Sequence, residues 1–263
     1  MSMELSNQEP AFANERQDRI AELVASHGKV RTGSLTSLLG VSEPTIRKDL
    51  ASLEQRGVLR RTHGGAVAVR PPLERDPARR GVEHAQEKQA IARACLELIS
   101  EGDAIFLDGG TTVRELARAL STVRFPITVL TNAPAVADAV ADHPMITHIL
   151  TGGQLRPLSG ALIGPLVLDN LERFTINVAF IGASGLSEGG ITVSDLGEAQ
   201  VKAAVIERAQ RVVVPVDHTK IGVADFVRVC GLDEIDVVVT DEKRDRLEKF
   251  CSAAGVESLV ASP

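Results

Sequence analysis

From residue 104 onward the chain repeats one pattern, in which short runs of aliphatic and β-branched residues alternate with helical segments. The runs lie at 104–107, 127–130, 147–150, 178–181, 212–216 and 237–240. A continuous apolar run fits a strand that is buried on both faces, and an intervening helix lets successive strands run parallel. The pattern therefore predicts an α/β domain with a mostly parallel sheet that helices cover on both sides.

The composition places this sheet in a globular chain of 263 residues whose core is aliphatic, because it has 7 Phe and no Trp or Tyr. No apolar run approaches the roughly 20 residues of a membrane helix, and segment 1–14 is too polar for a signal peptide. Cys95, Cys230 and Cys251 have neither disulfide nor metal spacing, which predicts free, buried thiols. We therefore expect a cytoplasmic protein with no membrane partner, no metal and no cofactor.

The net charge of −6 is unevenly distributed along the chain. Residues 14–80 contain 13 Lys and Arg against 8 Asp and Glu, a charge of +5, whereas the remainder has 16 against 27, a charge of −11. A basic end on an acidic body favours a polyanionic partner for the basic end. Charge alone leaves a chance fluctuation open as the alternative.

The basic end has the spacing of a helix-turn-helix motif. A first helix is predicted at 14–27 with Asn14 as its N-cap, and a second at 32–39. After a tight turn at Gly40, a third helix is predicted from its N-cap Ser42 to about residue 56.

The third predicted helix has an apolar and a polar face. The side chains expected to pack inward are Ile46, Leu50 and Leu53, with Leu35, Leu38 and Leu39 of the second helix. The side chains expected to contact DNA are Ser42, Thr45, Arg47 and Lys48. In the major groove Arg47 would bind a guanine and Lys48 a phosphate, whereas the acidic Asp49 is expected to pair with an arginine.

Two β-prone runs at 58–61 and 66–69 surround a Gly-Gly turn and predict a hairpin, the wing of a winged helix. Arg60, Arg61 and His63 would then meet the DNA backbone or the minor groove. For any single arginine, a solvated position without a DNA contact stays an open alternative.

The predicted parallel strands end in small and polar residues, and ligands bind at the carboxyl ends of such strands. The candidate ligand contacts are Asp108, Gly109, Gly110, Thr111, Thr112, Thr131, Asn132, Gly152, Gly153, Ser184, Lys202 and Lys220. Together they suit a small, hydroxyl-rich anion such as a sugar phosphate, with Lys220 as the stronger cation. For Lys202 a surface salt bridge with Glu198 is an equally good interpretation, and tight packing alone explains any one glycine-rich loop.

Two motifs at the basic end resemble the DeoR family of bacterial transcription repressors. Residues 42–50 are similar to the family signature, and residues 61–66, Arg-Thr-His-Gly-Gly-Ala, are similar to the sequence that follows it. The segments similar to motifs of the family's effector domain are 108–112, 131–132, 151–153, 180–185 and 217–222. The resemblance extends from about residue 16 to residue 260.

The resemblance implies a winged helix-turn-helix at 14–69, a linker at 70–85 and an effector domain at 86–263 whose fold is similar to ribose-5-phosphate isomerase. It also implies a repressor of a carbohydrate-utilisation operon that a phosphorylated sugar releases from double-stranded operator DNA. A homo-oligomer, dimer or tetramer, is expected, because one winged helix offers few contacts. Sequence leaves activation open as the opposite sign of regulation.

The alternative function is a sugar-phosphate isomerase with an accessory DNA-binding domain. The isomerase pattern contains an acidic Gly-Ala-Asp segment, whereas this chain has Gly-Ala-Ser-Gly at residues 182–185. The carboxylates that would transfer protons there are missing. We therefore expect a sensor that binds its ligand without turnover, and not an enzyme.

Overall fold

The computed structural model describes residues 13–56, 58–62, 64–68 and 81–262. The chain divides into two compact units, residues 1–74 and 75–263, which we call the N-terminal and the C-terminal unit. His63, a predicted DNA contact, lies outside the described residues, as does most of the predicted linker.

The N-terminal unit combines three helices with a three-stranded antiparallel sheet. In chain order its elements are α1 (Ala13–His27), β1 (Lys29–Arg31), α2 (Thr32–Leu39), α3 (Glu43–Gln55), β2 (Leu59–Thr62) and β3 (Gly65–Ala68). The strand order is β1-β3-β2, and β2 and β3 form the predicted hairpin. A Cβ at Gly65 would lie 1.9 Å from the Val30 carbonyl oxygen, so β3 approaches β1 at a position that only glycine can occupy.

The apolar core of this unit lies between the helices and the hairpin. Ile46, Leu50 and Leu53 are each at most 2% exposed and pack with Ile20 and Leu35. This confirms the inward face that the helical spacing of α3 predicts.

One local prediction for this unit is wrong, because Leu38 is 62% exposed and lies on the solvent side of the short helix α2. The helix α1 starts one residue earlier than predicted, at Ala13. Ser42 occupies the predicted N-cap position of α3, and its hydroxyl hydrogen-bonds the Thr45 hydroxyl at 2.9 Å and not a backbone N–H.

The C-terminal unit is built on a seven-stranded, fully parallel sheet with the strand order β15-β14-β12-β9-β4-β5-β6. Its helices are α4 (Ala85–Leu96), α5 (Thr111–Ala119), α6 (Pro134–Val140), α7 (Pro165–Leu171), α8 (Leu196–Ile206) and α9 (Asp245–Ala254). The sheet strands are β4 (Ala104–Leu107), β5 (Ile127–Thr131), β6 (Ile146–Leu150), β9 (Ile176–Phe180), β12 (Ala209–Pro215), β14 (Val237–Thr240) and β15 (Glu257–Val260). The predicted parallel α/β fold is confirmed.

Helices cover both faces of this sheet. In β4, Ile105 and Leu107 pack into the core that α4, α5 and α6 form, whereas Phe106 packs into the core of α7, α8 and α9. Alternate side chains of one strand thus enter two cores, which is why the strand reads as one continuous apolar run. Among the described residues, no helix has the length and apolarity that a membrane span needs.

The strand order reverses next to β4. From β4 the chain moves outward to β5 and β6, and then returns to place β9 on the other side of β4. The carboxyl ends of β4 and β9 therefore flank a topological switch point. Parallel α/β sheets open a ligand-binding crevice at such a point.

Several elements of this unit have no clear counterpart in the sequence pattern. They are β15, α7, the hairpin β7 (Gln154–Arg156) and β8 (Ala161–Ile163), and the antiparallel sheet of β10 (Gly185–Ser187), β11 (Gly190–Val193) and β13 (Val227–Cys230). The three-residue strands among them span too little chain to show a period.

Candidate functional sites

The exposed face of α3 carries the predicted DNA contacts. Ser42, Arg47 and Lys48 are exposed, and Thr45 is half-buried. Arg47 Nη2 lies 2.7 Å from Glu43 Oε1, and the arginine side chain is 69% exposed. An exposed i,i+4 pair contributes only about 0.3–0.5 kcal/mol, so a phosphate or a base edge can replace the carboxylate as the partner of Arg47.

The buried side of α3 is tied to α1 by Asp49. This carboxylate is 3% exposed and accepts hydrogen bonds from Arg16 Nε at 2.6 Å and Gln17 Nε2 at 3.1 Å. The hydrogen bond with Asp49 raises the pKa of Arg16, although desolvation acts in the opposite direction. The prediction that Asp49 pairs with an arginine is confirmed, and the pair holds α3 in a defined orientation.

The two arginines of the wing have different environments. Arg61 of β2 is held by Glu54 of α3, with its N–H donating to Oε1 at 2.8 Å and its Nε 3.1 Å from Oε2. Arg60 is exposed, and alternation along the strand places it on the opposite face of the hairpin. Arg60 is therefore the freer cation of β2 for a DNA backbone contact.

A buried ion pair occupies the switch point of the C-terminal unit. Asp108 directly follows β4 and Lys202 lies on α8, and they are 2% and 6% exposed. Lys202 Nζ contacts Asp108 Oδ2, which also accepts the Gly182 N–H at 2.9 Å. One carboxylate therefore joins the ends of β4 and β9 to α8.

Glycines bring two loop backbones together beside this pair. A Cβ at Gly110 would lie 3.4 Å from the Gly182 Cα, and a Cβ at Gly182 would lie 3.0 Å from Asp108 Oδ2. A Cβ at Gly109 would lie 2.7 Å from the Ala161 Cβ. Two loop backbones thus pack closely at the start of α5, where the N–H groups of a helix N-terminus favour an anion.

The hydroxyl of Thr131, a predicted ligand contact, is hydrogen-bonded within the protein. It donates to the Leu107 carbonyl at 2.6 Å and accepts the Ala133 N–H at 3.0 Å, and the residue is 0% exposed. Because its single proton is used there, Thr131 holds β4 and β5 together.

Asn132, the next residue, has an unsatisfied acceptor. Its Nδ2 donates to the Leu162 carbonyl at 3.0 Å, whereas its buried Oδ1 has no hydrogen-bond partner among the residues described. Buried polar atoms in native proteins are nearly always paired, because an unpaired one costs free energy. The Oδ1 atom is thus an unsatisfied acceptor at the end of β5.

The other predicted ligand contacts differ in burial and in the strand that they follow. Thr111 and Thr112 form the first turn of α5 and are half-buried and buried, and Ser184 is half-buried. Gly152 and Gly153 are exposed and follow β6, the outermost strand on that side. The structure thus clusters Asp108, the start of α5 and Lys202, and places the β6 glycines two strands away from β4.

A second charged cluster at the start of α8 was missed by sequence reasoning. Arg156 of β7 lies 3.2 Å from Asp195 Oδ2 through Nε and 2.9 Å from Glu198 Oε1 through Nη1. Asp195 also caps α8, because its Oδ1 accepts the Glu198 N–H at 3.0 Å. The interpretation of Lys202 and Glu198 as a surface salt bridge is therefore wrong.

The sequence carried a local signal for Asp195 and Glu198 but none for Arg156. Asp195-x-x-Glu198 has the spacing of a capping box at a helix start. Arg156 lies 42 residues before Glu198 on a separate hairpin, so no periodicity links them.

Two carboxylates fix the loop after β12, which carries Lys220. Asp217 accepts the Thr219 N–H at 3.0 Å, and Asp241 accepts the His218 N–H at 2.7 Å and contacts its Nδ1 at 2.7 Å. Desolvation acts to raise the pKa of Asp241, but the hydrogen bonds from His218 outweigh it and lower the pKa. Lys220 is half-buried, and within the described ranges its ammonium has no hydrogen bond or ion pair.

A winged helix-turn-helix followed by an α/β unit with a charged crevice is the architecture of a DNA-binding regulator that senses a small molecule. Residues 16–71 match the family model of the DeoR-like helix-turn-helix domain, and residues 83–242 match that of the DeoR C terminal sensor domain. The chain therefore belongs to the DeoR family of transcriptional regulators. This confirms the resemblance that the sequence motifs indicate.

Three relatives of similar length are named as transcriptional regulators or repressors. The chain is 37% identical to the HTH-type transcriptional regulator GlpR of Haloferax volcanii, over 88% of this chain and 91% of that protein. It is 34% identical to the HTH-type transcriptional repressor GlcR of Bacillus subtilis, over 95% and 96%. It is 32% identical to the lactose phosphotransferase system repressor of Staphylococcus epidermidis, over 90% and 96%.

Solved structures with a similar fold are more distant. Ribose 5-phosphate isomerase A of Methanocaldococcus jannaschii is 17% identical, with a TM-score of 0.41 over 53% of this chain and 55% of that chain. The eIF2B beta subunit of Chaetomium thermophilum is 15% identical, with a TM-score of 0.44 over 98% and 84%.

Proposed function

We propose that this regulator is a repressor of a carbohydrate-utilisation operon and that a phosphorylated sugar releases it from double-stranded operator DNA. The observation that carries the proposal is the buried Asp108–Lys202 pair at the switch point, together with the unpaired Oδ1 of Asn132, which follows the neighbouring strand β5. A sugar supplies hydroxyl donors for such acceptors. The name of one relative, a lactose phosphotransferase system repressor, supports a link to carbohydrate genes.

The phosphate of this effector is expected at the first turn of α5. Gly110 and Thr111 present backbone N–H groups there, and the helix dipole favours negative charge. Lys220 supplies a positive charge that no described partner neutralises. Lys202 contributes through Asp108, which it holds in place.

The operator is expected to bind the outer face of α3 and the wing. Arg47 can form two hydrogen bonds with a guanine, while Ser42, Lys48 and Arg60 contact phosphates. The charge of +5 on residues 14–80 adds long-range attraction to DNA. A protein with this role works in the cytoplasm.

Effector and operator are coupled through two conformations of the protein. A sugar phosphate that binds one conformation more tightly shifts the population toward it, and operator affinity falls if that conformation binds DNA poorly. A dimer or tetramer would place two winged helices on repeated or palindromic half-sites.

An isomerase function is not favoured. Proton transfer needs a carboxylate within reach of the substrate, but Asp108 is already held by Lys202 and the Gly182 N–H. Ser184 stands where the isomerase pattern has an acidic residue. The named relatives are regulators and repressors.

Selection of genomic fragments with the full-length protein tests the DNA half of the proposal. A folded protein that binds every genomic fragment no better than random duplex would contradict it. The effector half is tested by thermal shift with glucose 6-phosphate, fructose 1-phosphate, fructose 6-phosphate and ribose 5-phosphate, with inorganic phosphate for comparison. A true effector raises the melting temperature and lowers operator occupancy.

Lys220→Ala is expected to bind the operator normally but to lose most of the effector response, because the phosphate loses its unpaired cation. Lys243→Ala is the matched control, since Lys243 lies on the same unit but is exposed and pairs with Glu248 at 2.9 Å. Operator release titrated against effector measures both. Wild-type sensitivity in Lys220→Ala would remove this lysine from the site.

A further inference from the structure

The segment that leads into α4 touches α5 and the loop that follows β12. Gly81 lies against Arg114 of α5, because a Cβ at this glycine would be 2.6 Å from the arginine Nη2. His84, the N-cap residue of α4, makes an edge-to-face contact with His218, with ring centroids 5.4 Å apart and planes at 79°. The match to the sensor-domain family model begins within this segment, at residue 83.

His84 is held in an unfavourable backbone conformation. Its φ of 56° makes it the only residue other than glycine with a positive φ in the described part of the chain. A histidine stays in the left-handed region only when its surroundings hold it there. The buried ammonium of Lys88 donates to the Glu83 carbonyl at 2.6 Å, and the Lys88 N–H donates to the His84 carbonyl at 3.1 Å.

The partner ring of His218 is equally constrained from the other side. Asp241 binds both its backbone N–H and its Nδ1 at 2.7 Å, and Glu242 Oε2 lies 3.9 Å from Nδ1. The ring therefore cannot turn without breaking a hydrogen bond to a carboxylate. Lys220 is two residues further along the same short loop, so a displacement of the lysine backbone displaces the ring.

We propose that His84 is a positioning residue that couples the effector loop, residues 217–220, to the start of α4. An anion that draws Lys220 toward α5 shifts the effector loop and moves the His218 ring against His84. The turn at Glu83 and His84 responds to this push, because the His84 backbone is held at a positive φ. The meaning of this coupling for DNA release rests on the proposed function, but the physical coupling does not.

Hydrogen exchange of the full-length protein tests the coupling without DNA or effector. His84→Asn removes the ring and keeps a residue that tolerates the left-handed region. It is expected to speed exchange of the His218 and Lys220 amides by about tenfold, as a local loss of stability does. His84→Phe keeps an aromatic edge and is expected to exchange like the wild type, as is His148→Asn, a change of an exposed histidine on β6.

If the two rings are coupled, removing the His218 ring must also affect the start of α4. His218→Asn is expected to speed exchange of the Lys88 amide, which closes the first turn of α4 on His84. Wild-type exchange of the effector loop in a folded His84→Asn protein would overturn the proposal. Faster exchange in His84→Phe equal to that in His84→Asn would overturn the role of the ring contact.

The functional arm uses the sugar phosphate that the thermal-shift screen identifies. His84→Asn is expected to bind the operator with wild-type affinity, while the loss of operator affinity caused by that sugar phosphate shrinks at least about fivefold. Full release of His84→Asn would overturn the role in regulation. If the wild type selects no operator, the proposed function fails, and the exchange result still decides whether His84 couples the two segments.

Discussion

At the scale of single residues, the ion pair of Asp108 and Lys202 serves stability as well as the crevice. Removing one partner of a buried pair leaves the other charge without compensation. We expect Lys202→Met to lower the free energy of unfolding by about 3–5 kcal/mol, measured by urea denaturation. The double variant Asp108→Asn, Lys202→Met should lose less, because neither charge remains.

Lys243→Met is the control for this prediction. Lys243 and its partner Glu248 are 68% and 45% exposed, so solvent replaces the lost partner and little change is expected. An unfolding free energy of Lys202→Met equal to that of this control would show that the ion pair adds nothing to stability.

A second prediction at this scale concerns how fast the three thiols react with iodoacetamide. Burial raises the pKa of Cys95 and Cys230 to about 12 and that of Cys251 to about 11. Because only the thiolate reacts, at pH 8 a thiol with such a pKa is ionised about one time in a thousand or less. Native protein is therefore expected to resist iodoacetamide, and protein in urea to be alkylated at all three sites, as counted by mass spectrometry. Rapid alkylation of the native protein would contradict their burial.

At the scale of secondary-structure elements, α3 combines a fixed inner face with an adaptable outer face. Its core leucines and the Asp49–Arg16 pair hold the helix, while Arg47 has only an exposed partner, Glu43. We expect Arg47→Ala to weaken specific operator binding by roughly 1–3 kcal/mol, the usual range for a base-contacting arginine. Titration of the operator by fluorescence anisotropy measures the loss.

Arg211→Ala is the matched control for α3. Arg211 is also an arginine in an exposed ion pair, 3.4 Å from Glu257, but it lies in the C-terminal unit. Its loss should leave operator affinity unchanged. Equal operator affinities of Arg47→Ala and Arg211→Ala would show that Arg47 does not contact the operator.

At the scale of the whole molecule, a unit that binds DNA is joined to an acidic unit that senses a metabolite. Two winged helices of an oligomer would contact half-sites about 10–10.5 base pairs apart, or multiples of that spacing. Footprinting should show two protected half-sites, and light scattering a dimer or tetramer. Insertion of about five base pairs between the half-sites places them on opposite sides of the duplex and should abolish tight binding. Unchanged affinity for that operator would contradict the oligomer.

The helices and strands could be predicted from sequence wherever a segment shows a helical period or a continuous β-branched run. Ile46, Leu50 and Leu53 repeat with the period of a helix, and the β-branched runs mark strands such as β14. Glycine-containing strands of three residues, such as β10, carry no such period. Candidate site residues were accessible in so far as they follow strands, because parallel strands end at one edge of their sheet.

By itself, the sequence of this regulator determined its fold class, the helix α3 with its apolar inner face, and the polar edge of its sheet, because these follow from residues that are close together in the chain. Only the tertiary structure decided which polar groups face one another. Lys202 pairs with Asp108, 94 residues away in sequence, and Arg156 pairs with Glu198, 42 residues away. The Thr131 hydroxyl donates its hydrogen bond to the Leu107 carbonyl. Such partners depend on strand order and loop conformation, and no local period of 2 or 3.6 residues encodes them.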